Sequence, residues 1–353
     1  MIAADRSQPN VASPPQRRIL EVEGLCVDIA VPAGVLHAVS DIDFHVAEGE
    51  TLCIVGESGC GKSISALAVM GLLPRRATLS ARKLTLEGQD LLGLAPKAFS
   101  RLRGNRMGMI FQDPMTCLNP VYTVGEQMQE IYVRHGKGGR NEARERAEYL
   151  LERVGITAVA NRLRQYPHQL SGGLRQRVMI AMTLMCDPAL ILADEPTTAL
   201  DVTIQAQILH LLLDLKREFR TALVLITHDL GIVARVADRV AVMYAGRVVE
   251  AGTAIEVFDA PTHPYTQGLL NCIPMPGRTP PGARLGSIPG IVPALIGNLE
   301  GCMFRNRCPH ADLPCAEGEI ALREIAPGRA YRCLLDREQS LTHFTPAGRE
   351  VSV

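Results

Sequence analysis

Gly56-Glu57-Ser58-Gly59-Cys60-Gly61-Lys62-Ser63 is the stretch whose reading decides the fold. It follows the apolar run Thr51-Leu52-Cys53-Ile54-Val55, which predicts a buried strand. It opens into Ile64-Ser65-Ala66-Leu67-Ala68-Val69-Met70, which predicts a helix. The spacing is G-x-x-x-x-G-K-S between a strand and a helix, the context in which this pattern cradles phosphate. Glycines at 56, 59 and 61 let the backbone curl until successive N–H groups point at one anion. The N-terminus of the following helix adds its positive dipole end. Lys62 is then placed to reach the β- and γ-phosphates of a nucleotide, and the Ser63 hydroxyl to ligate Mg²⁺. Cys60 reads as a small filler whose thiol would make such a site sensitive to alkylation.

The bulk properties set the class. At 353 residues and 47% hydrophobic, the chain has ample material for a sizeable core with appendages. A formal net charge of zero argues against nucleic acid as a partner through any global positive field. No apolar run approaches the ~18–20 residues that cross a bilayer. Residues 1–18 are polar and Pro-containing with no apolar core, so a disordered tail is expected rather than a secretory signal, in a cytoplasmic protein. Of the ten cysteines, Cys26, Cys53, Cys60, Cys117, Cys186 and Cys272 are scattered, as small residues of a reduced compartment are. Cys302, Cys308, Cys315 and Cys333 crowd into one C-terminal stretch.

In chain order, Ile19 to Val46 alternates loosely, with a turn signal at Val31-Pro32-Ala33-Gly34, and predicts antiparallel strands. Leu84–Leu86 and Met107–Ile110 predict further short strands. From Val124 to about Gly155 the spacing is helical, with Ala143, Ala147, Leu150, Leu151 and Val154 on one face. Glu142 and Arg146, four apart, are expected to support that helix from its solvent side. Leu170-Ser171-Gly172-Gly173-Leu174-Arg175-Gln176-Arg177 opens another helix. Ala189–Ala193 and Ala222–Ile226 are very apolar strands ending at Asp194-Glu195 and Thr227-His228, with a helix over Gln207–Phe219 between them. Val240–Tyr244 and Arg247–Glu250 predict a hairpin turning at Ala245-Gly246. Thr253 with Glu256 forms a capping box. Beyond Pro261 prolines crowd (Pro264, Pro274, Pro276, Pro280, Pro281, Pro289, Pro293), which puts a boundary near 260.

A phosphate loop alone fits many enzymes, and the later motifs decide among them. Asp194 ends a buried strand as a Walker B aspartate does, placed to reach Mg²⁺. Glu195 follows where it can polarise a water for in-line attack. With Leu170-Ser171-Gly172-Gly173, Gln112, Asp201 and His228 in that order, residues 20–260 resemble an ABC-type ATPase. The resemblance implies an α/β fold of P-loop NTPase type: a RecA-like core, an antiparallel β subdomain and a helical subdomain at about 97–185, all within 19–260. A Pro/Cys-rich extension would occupy 261–353. It also implies that Ser171, Gly172 and Gly173 close on the γ-phosphate held by a second subunit, with Asp201 across the interface. His228 would contact the γ-phosphate, and Gln112 would touch Mg²⁺. The chain departs from the family at two places. Position 174 is Leu rather than polar, and no aromatic residue stands near 27–31 to stack on adenine, where Ile29 or His37 would substitute.

Two more stretches resemble the oligopeptide/dipeptide/nickel uptake subfamily: Phe111-Gln112-Asp113-Pro114 with Leu118-Asn119-Pro120, and His263-Pro264-Tyr265-Thr266 with Gly301-Cys302-Met303-Phe304-Arg305-Asn306-Arg307-Cys308-Pro309. The four cysteines are spaced C-x5-C-x6-C-x17-C. By count, four thiolates suit zinc or a [4Fe–4S] cluster, and free or disulfide-linked thiols are a third state; the resemblance favours the cluster. The expected machine is an ATP-hydrolysing subunit that energises peptide import at the cytoplasmic face of the inner membrane. Its implied partners are a second ATPase subunit of paralogous sequence, two membrane permeases and a solute-binding protein. The same motor could serve nickel or glutathione import. A soluble ABC ATPase acting on DNA or ribosomes is the rival, although such proteins carry long coiled coils or two motif sets.

Overall fold

A computed structural model describes residues 17–198, 201–273, 286–293, 295–297 and 300–342. Pro274, Pro276, Pro280 and Pro281 of the proline-rich run lie outside the described residues, as do residues 1–16 of the expected tail.

The strands in chain order are β1 (Arg18–Val31), β2 (Gly34–Ala47), β3 (Thr51–Val55), β4 (Ala77–Ser80), β5 (Lys83–Leu86), β6 (Gln89–Asp90) and β7 (Met107–Ile110). They continue with β8 (Leu190–Asp194), β9 (Ala222–Thr227), β10 (Arg239–Tyr244), β11 (Arg247–Thr253), β12 (Arg323–Ala326) and β13 (Arg329–Tyr331). Parallel pairing joins β10, β3, β9, β8 and β7 into the central sheet. Its strands are buried on both faces, as their unbroken apolar runs require. Leu190, Leu192, Val224 and Ile226 face one core, and Ile191, Ala193, Leu223 and Leu225 face the other. The first core is closed by the antiparallel sheet β2-β1-β5-β6, with β4 also on β1, and by helix Lys62–Val69. The second is closed by helices Val124–Arg134, Arg140–Arg153, Gly172–Thr183 and Val202–Phe219.

The chain departs from the sequence expectation at three points in its helices. The run from Val124 to Gly155 is two helices, separated at 135–139 by Gly136 (φ +66°) and restarted by Gly139 as N-cap. The Glu142 carboxylate turns back to accept the Gly139 N–H at 2.7 Å, so it is spent on the cap and is not paired with Arg146. Arg146 instead reaches Asp187 and the Leu184 carbonyl. The predicted helix at Gln207 begins earlier, at Val202, because the Asp201 side chain caps it by accepting from Ile204 N at 3.0 Å.

The C-terminal segment extends the central sheet. β11 runs antiparallel to β10, β13 pairs with β11 (Glu250 with Tyr331, Ala251 with Ala330), and β12 pairs with β13. Glu250, fully buried on β11, accepts the backbone N–H groups of Thr262 and His263 and an ion pair from buried Arg329. Such a charge is tolerable inside only because every neighbour is a donor.

Candidate nucleotide site

Every motif residue of the central sheet sits where a parallel strand ends at its carboxyl edge, the crevice in which α/β sheets bind ligands. β3 delivers the Gly56–Ser63 loop, β8 delivers Asp194 and Glu195, β9 delivers His228, and the chain beyond β7 delivers Gln112. The loop's tightness fixes its glycines. A Cβ on Gly56 (φ +155°) would lie 2.1 Å from the Met243 carbonyl oxygen, and one on Gly61 (φ +100°) 2.5 Å from that of Ala38. Gly61 is the N-cap of helix Lys62–Val69, while Ser58 and Gly59 form the exposed crest of the loop.

Lys62 is buried and curls its ammonium onto its own loop, donating to the carbonyls of Gly56 (2.8 Å) and Glu57 (2.9 Å). It rests on loop dipoles at the position a polyphosphate would claim. Buried Cys60 packs beneath it, its Sγ 3.7 Å from Nζ, and burial pushes that thiol's pKa up. A neutral, enclosed thiol fills space and resists alkylation. Ser63 Oγ donates to Asp194 Oδ1 at 2.9 Å, which puts a hydroxyl and a carboxylate oxygen side by side as Mg²⁺ prefers. Burial raises the Asp194 pKa against the pull of the Ser63 hydroxyl, and the neighbouring Glu195 charge adds to the rise.

Glu195 holds a left-handed backbone (φ +44°), unusual for a residue with a side chain and fixed here by its N–H donating to the Ile226 carbonyl at 2.9 Å. Its carboxylate is bracketed. His228 Nδ1 lies 3.2 Å from Oε1, while Thr198 Oγ1 (2.8 Å) and Gln112 Nε2 (3.3 Å) donate to Oε2. Burial pushes its pKa up, but the Thr198 and His228 contacts outweigh that and leave it lowered, so the group is an ionised base at neutral pH. Lys62, Ser63, Asp194, Glu195, Gln112 and His228 are thus brought together. Thr198 joins them without having been singled out in the sequence; its three-residue step past Glu195 was the available signal.

Ser171, Gly172 and Gly173 are not part of that assembly. Ser171 caps helix Gly172–Thr183 by accepting from Leu174 N at 3.4 Å, and Ser171 and Gly172 are exposed. Among the described residues no hydrogen bond joins them to the Gly56–Ser63 loop. Asp201 is likewise exposed. Ile29 lies on β1, and His37 on β2 pairs with Asp28 at 2.7 Å.

Behind the loop stands the C-terminal segment. Tyr265 OH accepts the Glu57 N–H at 2.9 Å, and the buried Arg307 guanidinium grips the Glu57 carboxylate at 2.5 and 2.9 Å. Neither residue was marked from sequence as touching the nucleotide loop. Cys302, Cys308, Cys315 and Cys333 line one cavity of about 140 Å³ together with His263 and Phe304. None of the four is in a disulfide, and burial raises the thiol pKa of Cys302, Cys308 and Cys333, that of Cys308 to about 11. Among the described residues no three metal-binding side chains converge tightly enough to hold a single ion.

A phosphate loop on β3, an acidic pair ending β8 and a histidine ending β9 define a P-loop nucleotide hydrolase. The family comparison refines this. The "ABC transporter" family matches residues 39–198, and the "Oligopeptide/dipeptide transporter, C-terminal region" family matches residues 249–315. The dipeptide transport ATP-binding protein DppD of Escherichia coli is 50% identical over 89% of this chain and 96% of its own length. The oligopeptide transport ATP-binding protein OppD of Salmonella typhimurium is 48% identical over 94% of this chain and 97% of its own. Among solved structures, cbiO1 of Clostridium perfringens, part of an ABC transporter complex, superposes with a TM-score of 0.59 at 30% identity, covering 69% of this chain and 92% of that one. The ATP-binding cassette MJ0796, dimeric and bound to ADP and Pi, gives 0.60 at 26% identity, covering 67% and 99%. The chain belongs to the ABC transporter ATP-binding family, with the C-terminal region of its oligopeptide/dipeptide branch.

Proposed function

We propose that this chain hydrolyses MgATP to drive peptide import, as a peripheral subunit on the cytoplasmic side of a membrane transporter. The observation that carries the reading is the bracketing of an ionised Glu195 by Gln112, Thr198 and His228 beside the Lys62 loop. Lys62 exchanges its two loop carbonyls for β- and γ-phosphate oxygens. The loop N–H groups bind the β-phosphate. Ser63, Asp194 and Gln112 would hold Mg²⁺, which would supply positive charge to offset that of the phosphates. Glu195 takes a proton from a water in line with the γ-phosphorus. The new P–O bond forms as the bond to the bridging oxygen breaks, and ADP leaves with that electron pair. His228 steadies the γ-phosphate.

Ser171, Gly172 and Gly173 serve a partner subunit's nucleotide, with Asp201 at the same interface. The exposure of that helix tip and the dimeric cassette bound to ADP and Pi support this. The partner would be a paralogue of this chain, docked with it on two permeases fed by a solute-binding protein. Peptide as cargo is supported by the names of the dipeptide and oligopeptide relatives. Among the described residues no helix is long and apolar enough to cross a membrane, so attachment falls to those permeases.

The four C-terminal thiols would hold a [4Fe–4S] cluster as a structural clamp. What supports this is that all four line one cavity, since four thiols match the ligand count of such a cluster.

Proteoliposomes containing the chain with its permeases, partner ATPase and binding protein test the reading. Di- or oligopeptide should stimulate ATP turnover together with uptake, and stimulation by a nickel chelate or glutathione alone would reject peptide as the cargo. In the same vesicles Glu195→Gln should bind MgATP normally and cut turnover ~10²-fold or more, the scale of a lost general base. Near-normal turnover would remove Glu195 from the role.

A further inference from the structure

Residue 57 is held by three of its groups. Its amide donates to Tyr265 OH (2.9 Å), its carboxylate accepts both guanidinium arms of Arg307 (2.5 and 2.9 Å), and its carbonyl accepts from Lys62 Nζ (2.9 Å). The third tie is temporary, because Lys62 must leave that carbonyl to meet a phosphate. The two that persist both come from the C-terminal segment.

Arg307 is itself fixed from behind. Nε donates to the Pro289 carbonyl at 2.8 Å and Nη2 to that of Ile288 at 3.2 Å, and the guanidinium lies 5.7 Å from the Tyr244 ring centroid. Tyr244, Tyr265 and Phe304 pack ring against ring at 4.6 to 5.3 Å around it. Arg307 is 4% exposed, whereas Glu57 is 28% exposed and stands in the loop that would receive a triphosphate. A carboxylate there repels the nucleotide unless a fixed cation neutralises it, and a two-armed guanidinium also fixes the loop's direction.

We propose that Arg307 is a positioning residue of the ATP site: through Glu57 it sets the shape and charge of the phosphate loop, making the cysteine-bearing segment a working part of nucleotide affinity. The proposal rests on the reading of Gly56–Ser63 as the seat of ATP. It differs from a packing role in one respect. Loss of Arg307 leaves an unpaired anion in the loop that would receive the phosphates, so removing Glu57 as well should repair part of the damage.

Fluorescence titration of the full chain with Mg²⁺ and mant-ATP, alongside steady-state turnover, tests this. Arg307→Ala should weaken binding about tenfold and raise KM in step, with kcat within about twofold because the Glu195 surroundings are untouched. Glu57→Ala should cost about threefold, and the double variant should bind better than Arg307→Ala alone. Arg307→Lys keeps the charge without the fork and should fall between wild type and Arg307→Ala. Should Arg307→Ala fail to fold, Arg307→Lys alone and combined with Glu57→Ala gives the same cycle. Affinity within twofold of wild type for Arg307→Ala (or, in that event, Arg307→Lys), or strictly additive losses in the cycle, overturns the proposal. Lys62→Ala separates the two levels: wild type that fails to bind, or a Lys62→Ala variant that binds as wild type does, rejects the ATP site itself. Loss of binding in that variant with Arg307 indifferent rejects only the tie.

Discussion

The proposed mechanism assigns phosphate to two helix tips in this molecule, and they are finished to different degrees. The tip at Lys62 is preceded by a loop fixed on every side: Lys62 on its carbonyls, Tyr265 and Arg307 on Glu57, Asp194 on Ser63. The tip at Gly172 has a serine cap and open surface. Both offer unpaired amides and a positive dipole end, so the backbone alone does not separate them. The surroundings do. The first is preorganised by its own chain, and the second is open, as the proposed closure on a partner's nucleotide requires.

The largest effect expected from breaking the comparison is at the finished tip. Lys62→Ala removes the loop's ammonium, which the proposed mechanism moves onto the β- and γ-phosphates, and should abolish MgATP binding in a mant-ATP titration. A variant that still binds tightly would mean that loop amides alone carry affinity. The counterpart at the open tip is Gly173→Asp, which sets a carboxylate where a partner's γ-phosphate would dock. It should leave binding at the Lys62 loop within about twofold and lower turnover roughly 10²- to 10³-fold, the scale for losing preorganised donors at a transferring group. Equal loss of binding and turnover would show that both tips serve the same nucleotide.

How much of this could be read from the sequence follows the same division. The Lys62 tip was legible because its parts are adjacent: a strand with four successive apolar residues, a glycine-punctuated loop, a helix. β8 and β9 were legible as unbroken apolar runs ending in Asp194-Glu195 and Thr227-His228. The tie from Arg307 to Glu57 joins residues 250 positions apart, and no local period encodes such a pair. β12 is four largely exposed residues with no apolar alternation, so nothing local announced that the C-terminal segment extends the central sheet. The break at Gly136-Lys137-Gly138-Gly139 was written plainly and outvoted by apolar spacing that resumes at Ala143. Capping by Glu142, a contest between a backbone amide and a salt bridge, decided against the helix pair expected from charge spacing alone.

The smallest expected effect concerns what the finished tip costs the fold. Asp194 is 7% exposed, and burial holds its pKa above the ordinary aspartate value. A raised folded-state pKa means that the ionised form is less favourable in the fold than in the unfolded chain. The group therefore contributes stability while protonated and loses it as pH rises through the raised pKa; at neutral pH its charge is a net burden until Mg²⁺ arrives. Asp194→Asn keeps the shape and an oxygen to accept from Ser63 while deleting that charge. Without nucleotide it should melt slightly higher than wild type at pH 7.5, on the order of 1–2 °C for a chain of this size, and the gain should fade as the pH falls through the raised Asp194 pKa. ATP turnover should be lost at every pH. Ser171→Ala, at the tip with no buried charge, should move the other way by the usual cost of a helix cap, about 1 kcal/mol. A lower melting point for Asp194→Asn at neutral pH would mean that the Ser63 hydrogen bond outweighs desolvation, and that the built half of the site stabilises the fold it occupies.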